Sequence, residues 1–265
     1  MVRPFKIATW NVNSLRVRLP HLLDWLAHQQ PDWVALQETK ILDEHFPVQA
    51  FQTLGYHALF SGQKTYNGVA LLSRFPNQEV VRRLPGLEDD PQRRIIIATY
   101  GNLKVVNVYV PNGEAVGSDK YYYKINWLQH LFSYLKEKVV RSPPPYWIVL
   151  GDFNIAPKDE DIHHPFIQSG DLLVSAPERA ALKNLYSLGL YDTFRLFEQA
   201  PKSFSWWDYR GGAFQRNHGA RIDLILVSTP LLCVSCMIDK VPRSLERPSD
   251  HAPVVATFSP AIPLF

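Results

Sequence analysis

Apolar positions recur along this chain with two distinct periods. Leu19, Leu22, Leu23 and Leu26 fall on one stripe, and Tyr121, Ile125, Leu128, Phe132, Leu135 and Val139 on a longer one. That three- and four-residue spacing predicts amphipathic helices, and Leu182, Leu185 and Leu188 mark a third. Between them run short β-branched or aromatic stretches bounded by turn residues: Lys6 to Trp10, Trp33 to Leu36, Val69 to Leu72, Ile95 to Tyr100, Val105 to Val110, Trp147 to Leu150, Ile222 to Val227 and Val254 to Phe258. These are the predicted strands. Strands alternate with helices in both halves, which indicates α/β layers. No linker is long or biased enough to divide the chain, and the Ser142-Pro143-Pro144-Pro145 run only joins a helix to the next strand. Residues 1–265 therefore read as a single domain.

Polar residues punctuate this pattern where strands end. Trp10-Asn11-Val12-Asn13 and Leu36-Gln37-Glu38-Thr39-Lys40 each follow an apolar run, as does Leu150-Gly151-Asp152-Phe153-Asn154, and Ser249-Asp250-His251 precedes the last strand. Strand ends are where open α/β sheets place their ligands. Each motif alone is weak, because Asp and Asn are ordinary turn residues and Asp152 with Asn154 also fits an Asx-turn. Together they suit metal-assisted hydrolysis of a phosphate ester: oxygen ligands for a hard cation, a base for the attacking water, and donors for the charge on phosphorus. In an extended strand end Asp152 and Asn154 point the same way, so one can hold the water while the other donates to a phosphate oxygen. His251 is the natural donor to that phosphate.

Composition narrows the choice of partner only a little. A formal net charge of +3 makes no global basic field, so affinity for a polyanion must come from a local patch. Trp206, Trp207, Tyr209 and Phe214, interleaved with Arg210, Arg216, His218 and Arg221, make such a segment, although some of these rings also suit a packed aromatic core. Cys233 and Cys236 are the only cysteines, and no second Cys or His pair completes a zinc site. Their apolar surroundings predict buried free thiols in a strand. The lack of a disulfide framework, a signal peptide or an apolar membrane span points to the cytoplasm.

These motifs, with Gly62-Gln63-Lys64, Gln92-Arg93-Arg94-Ile95-Ile96, Tyr109-Val110-Pro111-Asn112-Gly113-Glu114, Phe204-Ser205-Trp206-Trp207-Asp208-Tyr209-Arg210 and Arg221-Ile222-Asp223-Leu224, closely resemble the exonuclease III family of apurinic/apyrimidinic endonucleases, within the endonuclease/exonuclease/phosphatase superfamily. The resemblance implies an α/β fold: a four-layer sandwich of two packed mixed β-sheets flanked by helices and related by pseudo-two-fold symmetry. It implies a DNA repair nuclease needing Mg²⁺ or Mn²⁺ that cleaves 5′ to abasic sites or trims 3′ ends of double-stranded DNA, working as a monomer away from membranes.

The resemblance also implies the following roles, as expectations for each residue. Glu38 is the principal metal ligand, supported by the Asn11 amide oxygen and by Asp250, directly or one step out, with Asp152, Asn154 and His251 around the same ion. Asp152 activates water, Asp223 orients His251, and Tyr109 and Asn112 hydrogen-bond the scissile phosphate. Phe204 and Trp206 bound the abasic-sugar pocket. Arg93, Arg94, Lys64 and Arg221 grip DNA, with surface solubility an equal reading for the first three. Two departures stand out: Asn13 where some relatives carry Asp, and Ala220 where some carry Trp. After Asn154, His163 and His164 are expected to border the scissile phosphate and to block a continuous strand while admitting a 3′ end, or else to lie on a solvated loop. Two rival readings remain at this point, a phosphoinositide or sphingolipid phosphodiesterase and a DNA-binding module with a decayed site.

Overall fold

The structure is a computed structural model that describes residues 4–139, 146–163, 171–228 and 233–259. One sheet contains β1 (Phe5–Asn11), β2 (Trp33–Gln37), β3 (His57–Ser61), β4 (Val69–Ser73), β11 (Cys233–Ile238) and β12 (Val254–Phe258), in the order β11-β12-β1-β2-β4-β3. The other contains β5 (Val80–Val81), β6 (Ile95–Tyr100), β7 (Leu103–Tyr109), β8 (Tyr146–Asp152), β9 (Tyr191–Asp192) and β10 (Asp223–Val227), in the order β5-β6-β7-β8-β10-β9. Each sheet has one parallel pair at its centre, β1 with β2 and β7 with β8, and antiparallel neighbours on both sides. This shared pattern is the pseudo-symmetry implied by the family resemblance.

The central strands are apolar on both faces because both faces are covered. In β2, Trp33 and Ala35 point into the layer between the sheets, whereas Val34 and Leu36 point outward to α1 (Leu15–Gln29) and α2 (Val48–Thr53). In β7, Val105 and Tyr109 face the other sheet, while Val106 and Val108 meet α3 (Asp119–Val139) and α4 (Ala176–Ser187). Helices thus flank two stacked sheets, in four layers. The α1 stripe gains Leu15 and Trp25, and the α3 stripe gains Trp127 and Leu131, beyond the positions that the spacing marks. Edge strands β3, β5 and β9 escape the sequence pattern. β5 and β9 are two residues each, and β3 is largely half-exposed without alternation.

A polar bridge crosses the inter-sheet layer. Asn107 on β7 donates to the carbonyl oxygens of Leu36 (3.0 Å) and Ala70 (2.7 Å) and accepts from Gln37 Nε2 (2.8 Å). Gln37 Nε2 also donates to Thr9 Oγ1 (2.9 Å). All three side chains are fully buried, so they are matched to one another and fix the stacking of the two sheets. Cys233 and Cys236 are buried free thiols in β11, as the sequence predicts. Burial pushes them up to about 11 and about 12, so neither is a ready thiolate.

Candidate active site

The topology brings the polar strand ends together. Parallel strands finish at one edge of the sandwich, so Asn11 ends β1, Glu38 follows β2, Tyr109 ends β7 and Asp152 ends β8. Antiparallel neighbours start at that same edge: Asp223 opens β10 directly opposite Asp152, and His251 lies just before β12. The result is a cleft of about 740 Å³ whose floor holds Glu38, Tyr109, Asp152, Asn154 and His251, with Trp206 and Ile222 on one wall.

Asp152 sits at the centre of the hydrogen bonding. Its Oδ2 accepts from Asn11 Nδ2 (2.9 Å) and Asn154 Nδ2 (3.3 Å), and its Oδ1 accepts from the Asn154 backbone N–H (2.9 Å). That last bond is an Asx-turn, and Asn154 has φ 49°. The two side chains therefore converge through a left-handed turn rather than along an extended strand. His251 Nε2 lies 3.8 Å from Asp152 Oδ2, and its Nδ1 is 2.8 Å from Asp223 Oδ2. Ser205 Oγ donates to the same Asp223 oxygen (2.7 Å), fixing the carboxylate that fixes the ring. On the other side, Lys40 Nζ pairs with Glu38 Oε2 (2.8 Å) and donates to Asn13 Oδ1 (2.6 Å). Glu38 and Lys40 both have left-handed backbones (φ 51° and 50°), an arrangement costing about 1–2 kcal/mol per residue. The turn is held by Thr39 N–H on Gly68 O (3.1 Å) and Lys40 N–H on Asn67 O (2.9 Å).

Burial and charge set the protonation states. Burial is the main cause that raises the Asp152 carboxyl, to about 7, with Asp223 adding to it and His251 opposing. Burial pulls His251 down, but Asp223 and Asp152 outweigh it and push the imidazole up to about 10. Burial likewise opposes ionisation of Glu38, yet Lys40 and Asn11 together bring it below the usual carboxylate value. The Tyr109 phenol is driven well up, by burial first and then by Glu38, so it stays protonated and donates.

Ligand atoms of Glu38, Asp152 and His251 all lie within 4.8 Å of one another, close enough to hold a metal ion. Of these, His251 already faces Asp223 through Nδ1 and stays protonated, so the carboxylate oxygens of Glu38 and Asp152 fit a hard cation better than the imidazole does. Three carboxylates, Glu38, Asp152 and Asp223, face two cations, Lys40 and His251, and the excess negative charge suits a divalent ion.

Several expectations need adjusting. The Asn11 amide oxygen accepts from the Asn13 N–H (3.0 Å), while its NH₂ ties Glu38 Oε1 (2.8 Å) to Asp152, so Asn11 clamps the carboxylates instead of offering an oxygen. Asp250 is held by Asn13 Nδ2 (2.9 Å) and Trp206 Nε1 (3.0 Å) and stands outside the Glu38, Asp152 and His251 group. Arg221 does not face DNA: it is 1% exposed and pairs with Asp161 (2.7 Å) and Asp192 (2.8 Å). Phe204 is fully buried with Trp207, Ala213 and Ala252, and only Trp206 of that pair reaches the cleft. Arg94 is buried too, stacked 4.5 Å from the Tyr109 ring and bonded to Gln92 (2.7 Å), and it lines a neighbouring hollow with Gln63, Tyr66 and Asn112. Lys64 is exposed on the same side. Asn112 meets Asn154 across the cleft, Nδ2 to Oδ1 at 3.2 Å. Beyond Trp206, His163 stacks on His218 (3.8 Å between centroids) and lines a separate hollow with Arg216 and Ala220, whereas His164 lies outside the described residues. Lys40 and Ser205 belong to the site without having been assigned a role from sequence, although both stand inside the quoted motifs.

The sequence profile of the endonuclease/exonuclease/phosphatase family matches residues 8–251. Among characterised proteins, the chain is 40% identical over 268 residues to exodeoxyribonuclease III of Haemophilus influenzae, covering 96% of this chain and 99% of that one. Among solved structures, it matches the 3′ phosphatase NExo from Neisseria bound to a product DNA hairpin with a TM-score of 0.92 and 46% identity, over 96% of this chain and 99% of the other. An AP endonuclease from Archaeoglobus fulgidus follows at a TM-score of 0.90 and 39% identity, over 96% and 99%.

Proposed function

The chain belongs to the endonuclease/exonuclease/phosphatase family, and from that membership we propose that it is a DNA repair nuclease, hydrolysing the phosphodiester 5′ to abasic sites and at 3′ ends of duplex DNA. The observation that carries this reading is the buried Asp152, tuned to about 7 and 3.8 Å from an imidazolium that Asp223 holds in place. A base near neutrality beside a fixed cationic donor is what water attack on a phosphodiester requires. Asp152 takes a proton from water as the water oxygen attacks phosphorus in line, the bond from phosphorus to the 3′ oxygen breaks, that oxygen takes up a proton from solvent, and the products are a 3′-hydroxyl and a 5′-phosphate. His251, Asn154, Asn112 and Tyr109 donate hydrogen bonds to the non-bridging oxygens as charge builds there. A Mg²⁺ or Mn²⁺ ion held by Glu38 and Asp152 would polarise the phosphate and offset its charge.

A relative bound to a product DNA hairpin supports DNA as the partner. No described helix is long and apolar enough to cross a membrane, and the protein is proposed to act as a monomer in the cytoplasm. The balance between the two cleavage modes is assigned to the hollow beyond Trp206, and His163→Gly is expected to raise abasic-site cleavage relative to 3′ trimming. The test of the whole reading is a duplex with one abasic site and a duplex with a recessed 3′ end, incubated side by side with Mg²⁺ and with excess EDTA. Cleavage in Mg²⁺ that EDTA stops is expected. Inertness toward both substrates, or full activity in EDTA, contradicts the proposal.

A further inference from the structure

Lys124 interrupts the apolar stripe of α3, and it is fully buried there. Its ammonium lies behind the catalytic cleft, where Nζ donates to the carbonyl oxygens of Asn112 (3.1 Å) and Asn154 (2.7 Å) and pairs with Glu178 Oε1. All three donors of an ammonium are thereby used. Glu178, on α4, is equally buried. Its Oε1 also accepts from Leu173 N–H (3.1 Å), and its Oε2 accepts from the backbone N–H and hydroxyl of Ser175 (3.0 and 2.6 Å). Three segments that line the cleft, those carrying Asn112, Asn154 and Leu173, thus meet on one ion pair.

A well-packed apolar pair commonly stabilises a core as well as a buried ion pair does. What the lysine adds is directional. It fixes two carbonyl groups, and with them the course of two backbones whose side-chain amides face the site. Asn154 most needs such a hold, because its backbone is left-handed. We propose that Lys124, together with Glu178, is a positioning residue that holds the Asn112 and Asn154 amides in the orientation that meets the charge developing on phosphorus. This inference rests on the nuclease reading of the cleft.

The decisive variant is Lys124→Met/Glu178→Gln, which removes both charges and leaves a capping acceptor for Ser175. It is expected to fold, melting several degrees below the wild type because the Asn112 and Asn154 carbonyl oxygens lose their donor, and to bind DNA in EDTA with unchanged affinity. Its kcat should fall roughly a hundredfold, the scale of one misplaced group at the reacting centre, with KM unmoved. Lys124→Arg is the second variant, since it keeps the charge opposite Glu178 but cannot place three compact donors. It should show the same kcat loss. Wild-type kcat in either folded variant overturns the inference, and so does failure of both to fold, which would assign the pair to folding alone. Asp152→Asn measured alongside separates the two levels: if that variant also retains activity, the reading of the cleft has failed, not merely the role of Lys124.

Discussion

In the proposed mechanism the chemistry at His251 and Asp152 depends on two protonation states that hold together over a limited range. Asp152 must be ionised to accept a proton, and its carboxyl lies at about 7. His251 must keep its proton, and its imidazole lies at about 10. A cation on Asp152 favours its ionised form and pulls the acid limb below the metal-free value of about 7, so the rate should rise with pH earlier than that and fall as pH passes about 10, two limbs that belong to the pair. A kcat profile with no acid limb between about pH 3 and about pH 7 would contradict this assignment. Arg221 carries the opposite lesson. Its neighbours in sequence are aromatic and cationic, so it reads as a DNA contact, but its partners Asp161 and Asp192 are remote in the chain and close only in the fold. Arg221→Met should cost about 3–5 kcal/mol of stability by leaving buried carboxylates short of a partner, seen as a lower melting temperature. Normal stability with weakened DNA binding would restore the contact reading. Asn11 was legible as a site residue, but the direction of its amide was not, because that depends on the two carboxylates it bridges.

Among the elements, β8 delivers Asp152, and Gly151 is the residue that lets it do so. A Cβ at Gly151 would lie 1.8 Å from the Val108 carbonyl oxygen on β7, and its φ of 149° adds strain. Gly151→Ala must push β8 away from β7 one residue before the base. A melting temperature lowered by several degrees and a large loss of kcat are expected, and an unchanged variant would mean that the strand end is slack. Central strands such as β2 and β7 were legible in sequence because they are buried on both faces and bounded by turns. β3, β5 and β9 were not, since an edge strand has only one neighbour to shape its composition. Lys124 was legible in principle, as a lysine on the buried stripe between Tyr121 and Leu128, but its partners lie on two loops and on α4, which the period of α3 cannot see.

For the whole molecule, a net charge of +3 leaves DNA affinity to local cations. Exposed Lys64 and half-buried Arg93 stand on the flank of the cleft, and Arg216 stands beyond Trp206. Affinity should fall as salt rises, and a level response between low and physiological ionic strength would argue against a duplex-gripping face. Two sheets, each offering a parallel pair of strands, place their polar ends in one cleft, and the motif spacing in the sequence already carried that convergence once the family resemblance supplied the topology. The central claim is that Asp152, at the meeting point of the two sheets, is the base for water attack on a phosphodiester. The direct measurement is single-turnover cleavage of a duplex with a recessed 3′ end and of an abasic duplex by Asp152→Asn in Mg²⁺, with DNA affinity measured on the same preparation. The account predicts affinity close to the wild type and a rate lower by roughly 10²–10⁴-fold or more; near wild-type cleavage of either substrate would contradict it.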